Sequence, residues 1–374
     1  MRIGVMLRSI DEKQGIGIYT QNLLKELLDL DKDNEYVFFY RKKSNLGRYS
    51  NYPNVQERYV NIPTKLLWDQ IAIPYLAKKE KIDLIFHTKF TIPLFTNCKT
   101  IMVLHGSGWF VRPDIYPWHD IFYIRFAMPL YCKKADMIIS NSNLTTNDFI
   151  NILGVDRDKI RTIHLAADDI FKPIKETTVL KEAKEKYNLP ERFILTVTKY
   201  FPGKNFGNLL YAFQKCHKHV PHKLVVVGKD CHKYKDDYKI GSMGLADDIE
   251  FVGWIEQKDL VALYNLADLF VFPSLYEEFG IPLVEAMACG CPVVTSNTAA
   301  PPEIVGDAGL LINPTEPEAI SEAMTKILSN EKLRQELIQK SLQRSSRFSW
   351  KECAKETLAL FKSLENEVNG KKFF

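Results

Sequence analysis

The chain has 374 residues, 46% of them apolar, with 50 lysines and arginines against 46 aspartates and glutamates and a net charge of +4. That is apolar material for two or three domains of ordinary size, and the near balance of charge excludes a strongly basic nucleic-acid-binding chain. The seven cysteines are scattered, odd in number and without a C-x-x-C pair, which points to reduced thiols, while residues 1–7 are too short for a signal segment and no apolar run approaches a membrane span. The expectation is a cytoplasmic protein, at most touching a membrane surface.

Residues 2–7 read as a compact strand, and a loop over 8–14 leads to Gly15-Ile16-Gly17 and an amphipathic helix as far as residue 29. Strands follow at 37–40, 84–87, 100–105, 137–140 and 160–164. Helical stretches lie at 66–79, at 117–134 and from Asn143 to Gly154. After Phe171-Lys172-Pro173 comes a polar helical stretch, and the alternation restarts with strands at 193–197, 224–227, 249–252, 269–272, 293–295 and 309–312. Strands alternating with helices imply parallel sheets covered on both faces. The restart divides the chain into domains at 1–170 and 171–349, with an amphipathic helix in 350–374. Internal repeats and low-complexity segments are absent from the sequence.

The densest chemistry lies in 270–295, FVFPSLYEEFGIPLVEAMACGCPVVT. The apolar strand stops at Pro273-Ser274, and Glu277-Glu278 and Phe279-Gly280 follow. Pro282 can open a helix at its first position, and Gly290 and Pro292 end it. This places Glu277 in the loop at the strand's carboxyl end and Glu285 in the first helical turn, where parallel sheets bind ligands. Two carboxylates beside helix-start amides suit a ligand with hydroxyls and phosphates; the plainer alternative is a βα loop with acidic caps. Lys199-Tyr200-Phe201-Pro202-Gly203-Lys204 directly follows another strand, so both lysines can converge on a diphosphate. Solvated surface lysines are the alternative.

In the first half, Gly15 and Gly17 let the backbone approach a phosphate at a helix start, although Thr20 breaks a G-x-G-x-x-G pattern. His105 ends a strand, as does His87, with Lys89 after it; each can face a ligand or be a hydrogen-bonded core histidine. Asn141-Ser142 occupies a similar edge. The stretch 109–134 mixes Trp109, Phe110, Trp118, Phe122 and Phe126 with Arg112, Arg125, Lys133 and Lys134, and reads either as core and wall or as a membrane-interface segment. Cys216, His217, His219, His222, Cys231 and His232 crowd together without a zinc-ligand spacing, so no metal site is expected.

The run E-E-F-G-I-P-L-V-E-A-M-A-C-G, with seven residues between Glu277 and Glu285, resembles family 4 of the retaining glycosyltransferases (glycosyltransferase group 1). The resemblance spans nearly the whole chain and is strongest over 199–309. It implies an α/β GT-B fold, two Rossmann-like βαβ domains facing across a cleft: an acceptor-side domain, 1–170, and a nucleotide-sugar donor domain, 171–349. The final helix, in 350–374, would pack back on the first domain. By the same resemblance Glu277 and His105 hold the transferred sugar, and Glu285 holds the ribose. Lys204, Lys199 and a closing Gly15–Gly17 loop hold the diphosphate, with Phe279 and Gly280 amides donating to sugar or phosphate. The nucleobase lies near 252–254. Lys199 stands where the family commonly has arginine, and an ammonium cannot make the bidentate fork.

The implied activity is metal-independent, retaining transfer of a hexose, glucose or mannose, from a UDP- or GDP-sugar to a saccharide or lipid-linked acceptor in surface polysaccharide or glycolipid synthesis. No cofactor is expected, and the protein would be cytoplasmic, with peripheral contact at the inner membrane face. Trp68-Asp69-Gln70 followed by Pro74 resembles members that build surface polysaccharides. Rival readings are a non-catalytic nucleotide-sugar-binding subunit, a GT-B epimerase, a phosphorylase and a dehydrogenase.

Overall fold

The computed structural model describes residues 1–12 and 15–371, with side chains as far as Glu365. It divides into two units, Met1–Leu165 together with the chain from Ser349 on, and Ala166–Phe348.

The first unit is a seven-stranded, wholly parallel sheet: β1 (Arg2–Met6), β2 (Glu35–Tyr40), β3 (Val55–Tyr59), β4 (Leu84–His87), β5 (Lys99–Leu104), β6 (Met137–Ser140) and β7 (Ile160–Thr162), in the order β3-β2-β1-β4-β5-β6-β7. Strands β1, β4 and β5 are near-continuous apolar runs because helices cover both faces. Helix α1 (Ile16–Leu30) follows β1, α2 (Trp118–Lys134) follows β5, and α3 (Asn143–Leu153) follows β6. Helix α3 starts on the Ser142 hydroxyl, which accepts from the Thr145 amide at 3.2 Å, and stops at left-handed Gly154. The helix Trp350–Lys371 also belongs to this unit, packing on α1. Phe361 meets Phe86 edge-on at 5.2 Å, and Trp350 lies 6.0 Å from Tyr19.

Two features here differ from the sequence reading. Strand β3 was not foreseen: it is a sheet edge, and its Gln56-Glu57-Arg58 core reads as loop. The helix expected over 66–79 is interrupted, with α-helix at Lys65–Leu67 and Ile73–Lys79 around a π-helical turn, Trp68–Ala72. Turns of that type concentrate at functional positions.

The second unit has six parallel strands, β8 (Phe193–Val197), β9 (Lys223–Val227), β10 (Ile249–Gly253), β11 (Leu269–Phe272), β12 (Val293–Ser296) and β13 (Gly309–Ile312). Their order is β10-β9-β8-β11-β12-β13, with α4 (Phe206–Cys216), α5 (Gln257–Leu266) and α6 (Ile281–Ala288) among the covering helices. Read from its own first strand, the second sheet runs 3-2-1-4-5-6, the Rossmann order, and the first runs the same order with a seventh strand beside the sixth. The order reverses between β1 and β4 in one unit and between β8 and β11 in the other, and ligands bind at the strand carboxyl ends beside such a reversal.

Candidate active site

In the second unit the loops that leave β8 and β11, on either side of the reversal, carry Lys204 and Glu277. The Lys204 ammonium donates to Glu277 Oε2 at 2.5 Å and sits 4.6 Å from the centre of the Phe272 ring. Lys199 lies over Phe201 at 4.8 Å. Its pKa is lowered, first by desolvation from the surrounding protein and then by the positive charge of Lys204. Two ammoniums that raise one another's potential, offset by the carboxylates of Glu277 and Glu278, form a ready site for a multiply charged anion.

The backbone of this loop is pinned on three sides. The Tyr234 hydroxyl donates to the Lys199 carbonyl at 2.9 Å and accepts from the Phe201 amide at 3.1 Å, while its ring stacks on Phe206. Asn205, in the left-handed region, donates to the carbonyls of Pro273 and Pro314 at 3.0 and 2.6 Å, and the Leu275 amide donates to Gly203 O at 2.9 Å. The two ligand loops are therefore stapled to one another before any ligand arrives.

Helix α6 begins after Gly280, whose φ of 91° is left-handed. A Cβ there would lie 2.8 Å from Leu283 Cδ1 and in ordinary contact with Glu277 Cγ at 3.4 Å, so a larger residue would strain the turn and press on Leu283. Pro282 occupies the second helical position rather than the first, because the helix starts at Ile281. For the same reason Glu285 is the fifth helical residue and lies beyond the first turn, contrary to the placement read from the sequence. It is buried, and the Tyr264 hydroxyl donates to its Oε2 at 3.1 Å. Burial pushes the Glu285 carboxyl up to about 7, opposed by the Tyr264 hydrogen bond and assisted by the charge of Asp168. Phe279 is buried, edge-on to Phe348. Trp254, beyond the end of β10, is half exposed.

In the first unit Gly15 and Gly17 open α1. A Cβ on Gly17 would fall 1.7 Å from the Glu12 carbonyl oxygen, so only glycine lets the preceding loop lie this close to the helix start. Tyr19, one turn on, packs edge-on against His105 with ring centres 5.0 Å apart, which brings the glycine turn and the histidine together. His105 Nε2 donates to Thr88 O at 2.8 Å, and Asn141 donates to the His105 carbonyl at 3.0 Å. Burial lowers the imidazole to about 4. His105 is thus neutral at pH 7, its Nδ1 an acceptor, which suits orientation of a hydroxyl better than proton removal.

Other edge residues turn out to be structural. His87 is fully buried with Nδ1 engaged by Thr91, so it does not reach a ligand. Asn141 and Ser142, expected at an open edge, are buried as brace and helix cap. Lys89 pairs with Glu12 at 3.1 Å. The crowded histidines and cysteines separate, with His217 against Asp248 and His222 against Asp268, each at 3.3 Å, and Cys216 buried. Among the described residues no group of three His, Cys, Asp or Glu side chains is arranged to hold a metal ion.

Three residues were not found from the sequence. Tyr264 gave no signal, since an aromatic on an apolar helix reads as core. Asn205 looked like a turn residue. Arg8 read as the first residue of a loop, yet it pairs with Asp69 at 2.5 Å, and Thr91 donates to the same carboxylate at 2.9 Å. The Trp68-Asp69-Gln70 triplet was the available clue: Trp68 is core, Asp69 holds Arg8, and Gln70 bridges Ile92 O and Leu94 N, both at 2.9 Å.

Comparison with known proteins finds a family match in each half of the chain. Residues 13–169 match the family described as Glycosyltransferase Family 4, and residues 180–344 match Glycosyl transferases group 1. The O-antigen chain mannosyltransferase B of Escherichia coli is 27% identical over 94% of this chain and 96% of its own. The serotype-specific mannosyltransferase WbdA of Escherichia coli is 31% identical over 58% of this chain, a match that covers 28% of WbdA. Among solved structures, HepE of Anabaena in complex with UDP and glucose superposes with a TM-score of 0.77 over 97% of this chain and 100% of its own, at 19% identity, a likeness of fold. With the family matched in each half and a Rossmann order in each sheet, the chain belongs to family 4 of the glycosyltransferases and has the GT-B fold.

Proposed function

We propose that the protein is a retaining hexosyltransferase that moves mannose from GDP-mannose to a saccharide or lipid-linked saccharide acceptor in surface polysaccharide assembly. The Lys204–Glu277 pair carries this reading. Lys204 exchanges the Glu277 carboxylate for a donor diphosphate oxygen, and Lys199 adds a second charge. The released Glu277 then accepts from hydroxyls of the transferred sugar, with the Phe279 and Gly280 amides donating. Glu285, in its ionised form, accepts from the ribose.

During transfer the C1–O bond to the diphosphate breaks and a C1–O bond to the acceptor forms on the same face. The departing phosphate oxygen takes the acceptor's proton. Positive side chains and fixed amides act on the growing phosphate charge, so no divalent ion is needed. Mannose is preferred over glucose because relatives matched over long stretches of the chain carry that sugar in their names. The protein works at the cytoplasmic membrane face, where a lipid-linked acceptor is presented.

Calorimetric binding of GDP, UDP and ADP, with and without EDTA, followed by turnover of GDP-mannose and UDP-glucose with NMR assignment of the product anomer, tests each part. GDP binding that survives EDTA, and an α-linked product from an α-linked donor, are expected. Binding of none of the three would remove the donor-site assignment, and an inverted product would remove retention.

A further inference from the structure

We propose that the first unit carries a docking face for an anionic lipid surface, built from two apolar stripes and a ring of unpaired cations; this deepens the peripheral placement proposed above. On α2, Trp118, Phe122 and Phe126 recur every fourth residue, and Leu130 continues the row. On the interrupted helix, Leu67, Ile71 and Tyr75 do the same. The π turn is the local device. It turns Asp69 inward to Arg8 and leaves Leu67 and Ile71 outward, on the opposite side from buried Trp68 and Asp69.

The loop 90–96 joins the stripes. Gln70 holds its Ile92 and Leu94 backbone, Ile92 packs with Ile124 and Met128 of α2, and Lys134 donates to Thr96 O at 3.0 Å. Phe95 projects from that loop between them. Phe95, Trp118, Phe122, Phe126, Ile71 and Tyr75 are each between 62% and 83% exposed. A contiguous aromatic surface of this extent marks a docking site.

Charge chooses the occupant. Lys65, Lys78, Lys79, Arg125 and Lys133 are exposed along the same segments. None has an ion-pair partner among the described residues, and Asp120 is the single exposed carboxylate there. Aromatics at headgroup depth with lysines toward anionic phosphates is the arrangement of an interfacial anchor. Among the described residues no helix is long and apolar enough to cross a membrane, so this contact would be with one surface.

Flotation of the full chain with vesicles of phosphatidylcholine alone, or with about one third phosphatidylglycerol, tests the face. Binding to the anionic vesicles about tenfold tighter than to the neutral ones, weakened by salt, is expected. Phe122→Ser combined with Phe126→Ser should lower vesicle binding about tenfold or more, and Lys78→Glu with Lys79→Glu should abolish the anionic preference. Both variants should keep wild-type GDP-mannose binding by calorimetry, which reports that they fold. Variants that float like wild type would overturn the proposal. So would a wild type that ignores both vesicles but forms a dimer dissolved by the phenylalanine changes, which would assign the face to a second copy. Loss of vesicle binding with donor binding intact concerns this face alone; absence of donor binding in every form concerns the donor site alone.

Discussion

Arg8–Asp69 near the reversal of the first sheet and Lys204–Glu277 near that of the second are cation–carboxylate pairs that differ in what they can do. Arg8–Asp69 and Lys204–Glu277 are both 2.5 Å apart, but the side chains of the first are 9% and 2% exposed and those of the second 18% and 15%. Desolvation raises the Asp69 carboxyl even against the opposing charge of Arg8. That pair is closed: the Thr91 hydroxyl occupies the same carboxylate oxygen and the π turn wraps the residue. The Lys204–Glu277 pair has two rigid loops beneath it and an opening above, so either partner can trade the other for a ligand. Equal distance hides unequal function, and water access separates a brace from a site.

Breaking the closed pair should have the largest effect. Asp69→Ala strands the Arg8 charge in the interior and should cost about 3–5 kcal/mol in denaturant unfolding; a loss below about 1 kcal/mol would place the pair among surface bridges. Glu277→Gln should leave the unfolding midpoint near wild type while lowering kcat/KM about 10²–10³-fold. If instead it destabilises the protein and spares turnover, the comparison is reversed.

The carboxylate behind the open pair sharpens the contrast by pH. Because Glu285 titrates near 7 when folded, its ionised form grows as pH rises, and donor affinity should climb through that range. The sign for the empty protein is opposite: a carboxyl raised above its ordinary value favours folding at low pH, and that contribution is lost as pH rises through about 7. Donor-induced thermal stabilisation should therefore increase with pH, and Glu285→Gln should flatten the trend. Tyr264→Phe should move the midpoint upward and weaken donor binding about threefold to tenfold, with kcat little changed. The smallest effect belongs to His105. Its depressed pKa means that the unfolded chain binds more protons, so stability should decline as pH falls from 6.5 toward about 4, and His105→Gln should soften that acid limb.

The sequence disclosed the second unit better than the first for a physical reason. Around Glu277 the strand, turn and helix signals are contiguous, so Pro282, Gly290 and both carboxylates could be placed from local rules. Even there Glu285 was set one residue too early, since the helix starts at Ile281, directly after a left-handed glycine, and not at Pro282. The roles of Tyr264 and Arg8 depend on partners 21 and 61 residues away, a separation that periodicity does not encode. Strand β3 and the π turn escaped because an edge strand may be polar and because a π turn keeps helical composition.

The helix that follows the second unit and packs on α1 sets an order of events during synthesis. Residues 166–348 are one uninterrupted stretch and can close their sheet as soon as they leave the ribosome. The first unit, though made earlier, must wait with Tyr19 and Phe86 uncovered until Trp350 and Phe361 emerge. The part translated first is completed last, and in the interval its apolar face is the part of the nascent chain most in need of a chaperone.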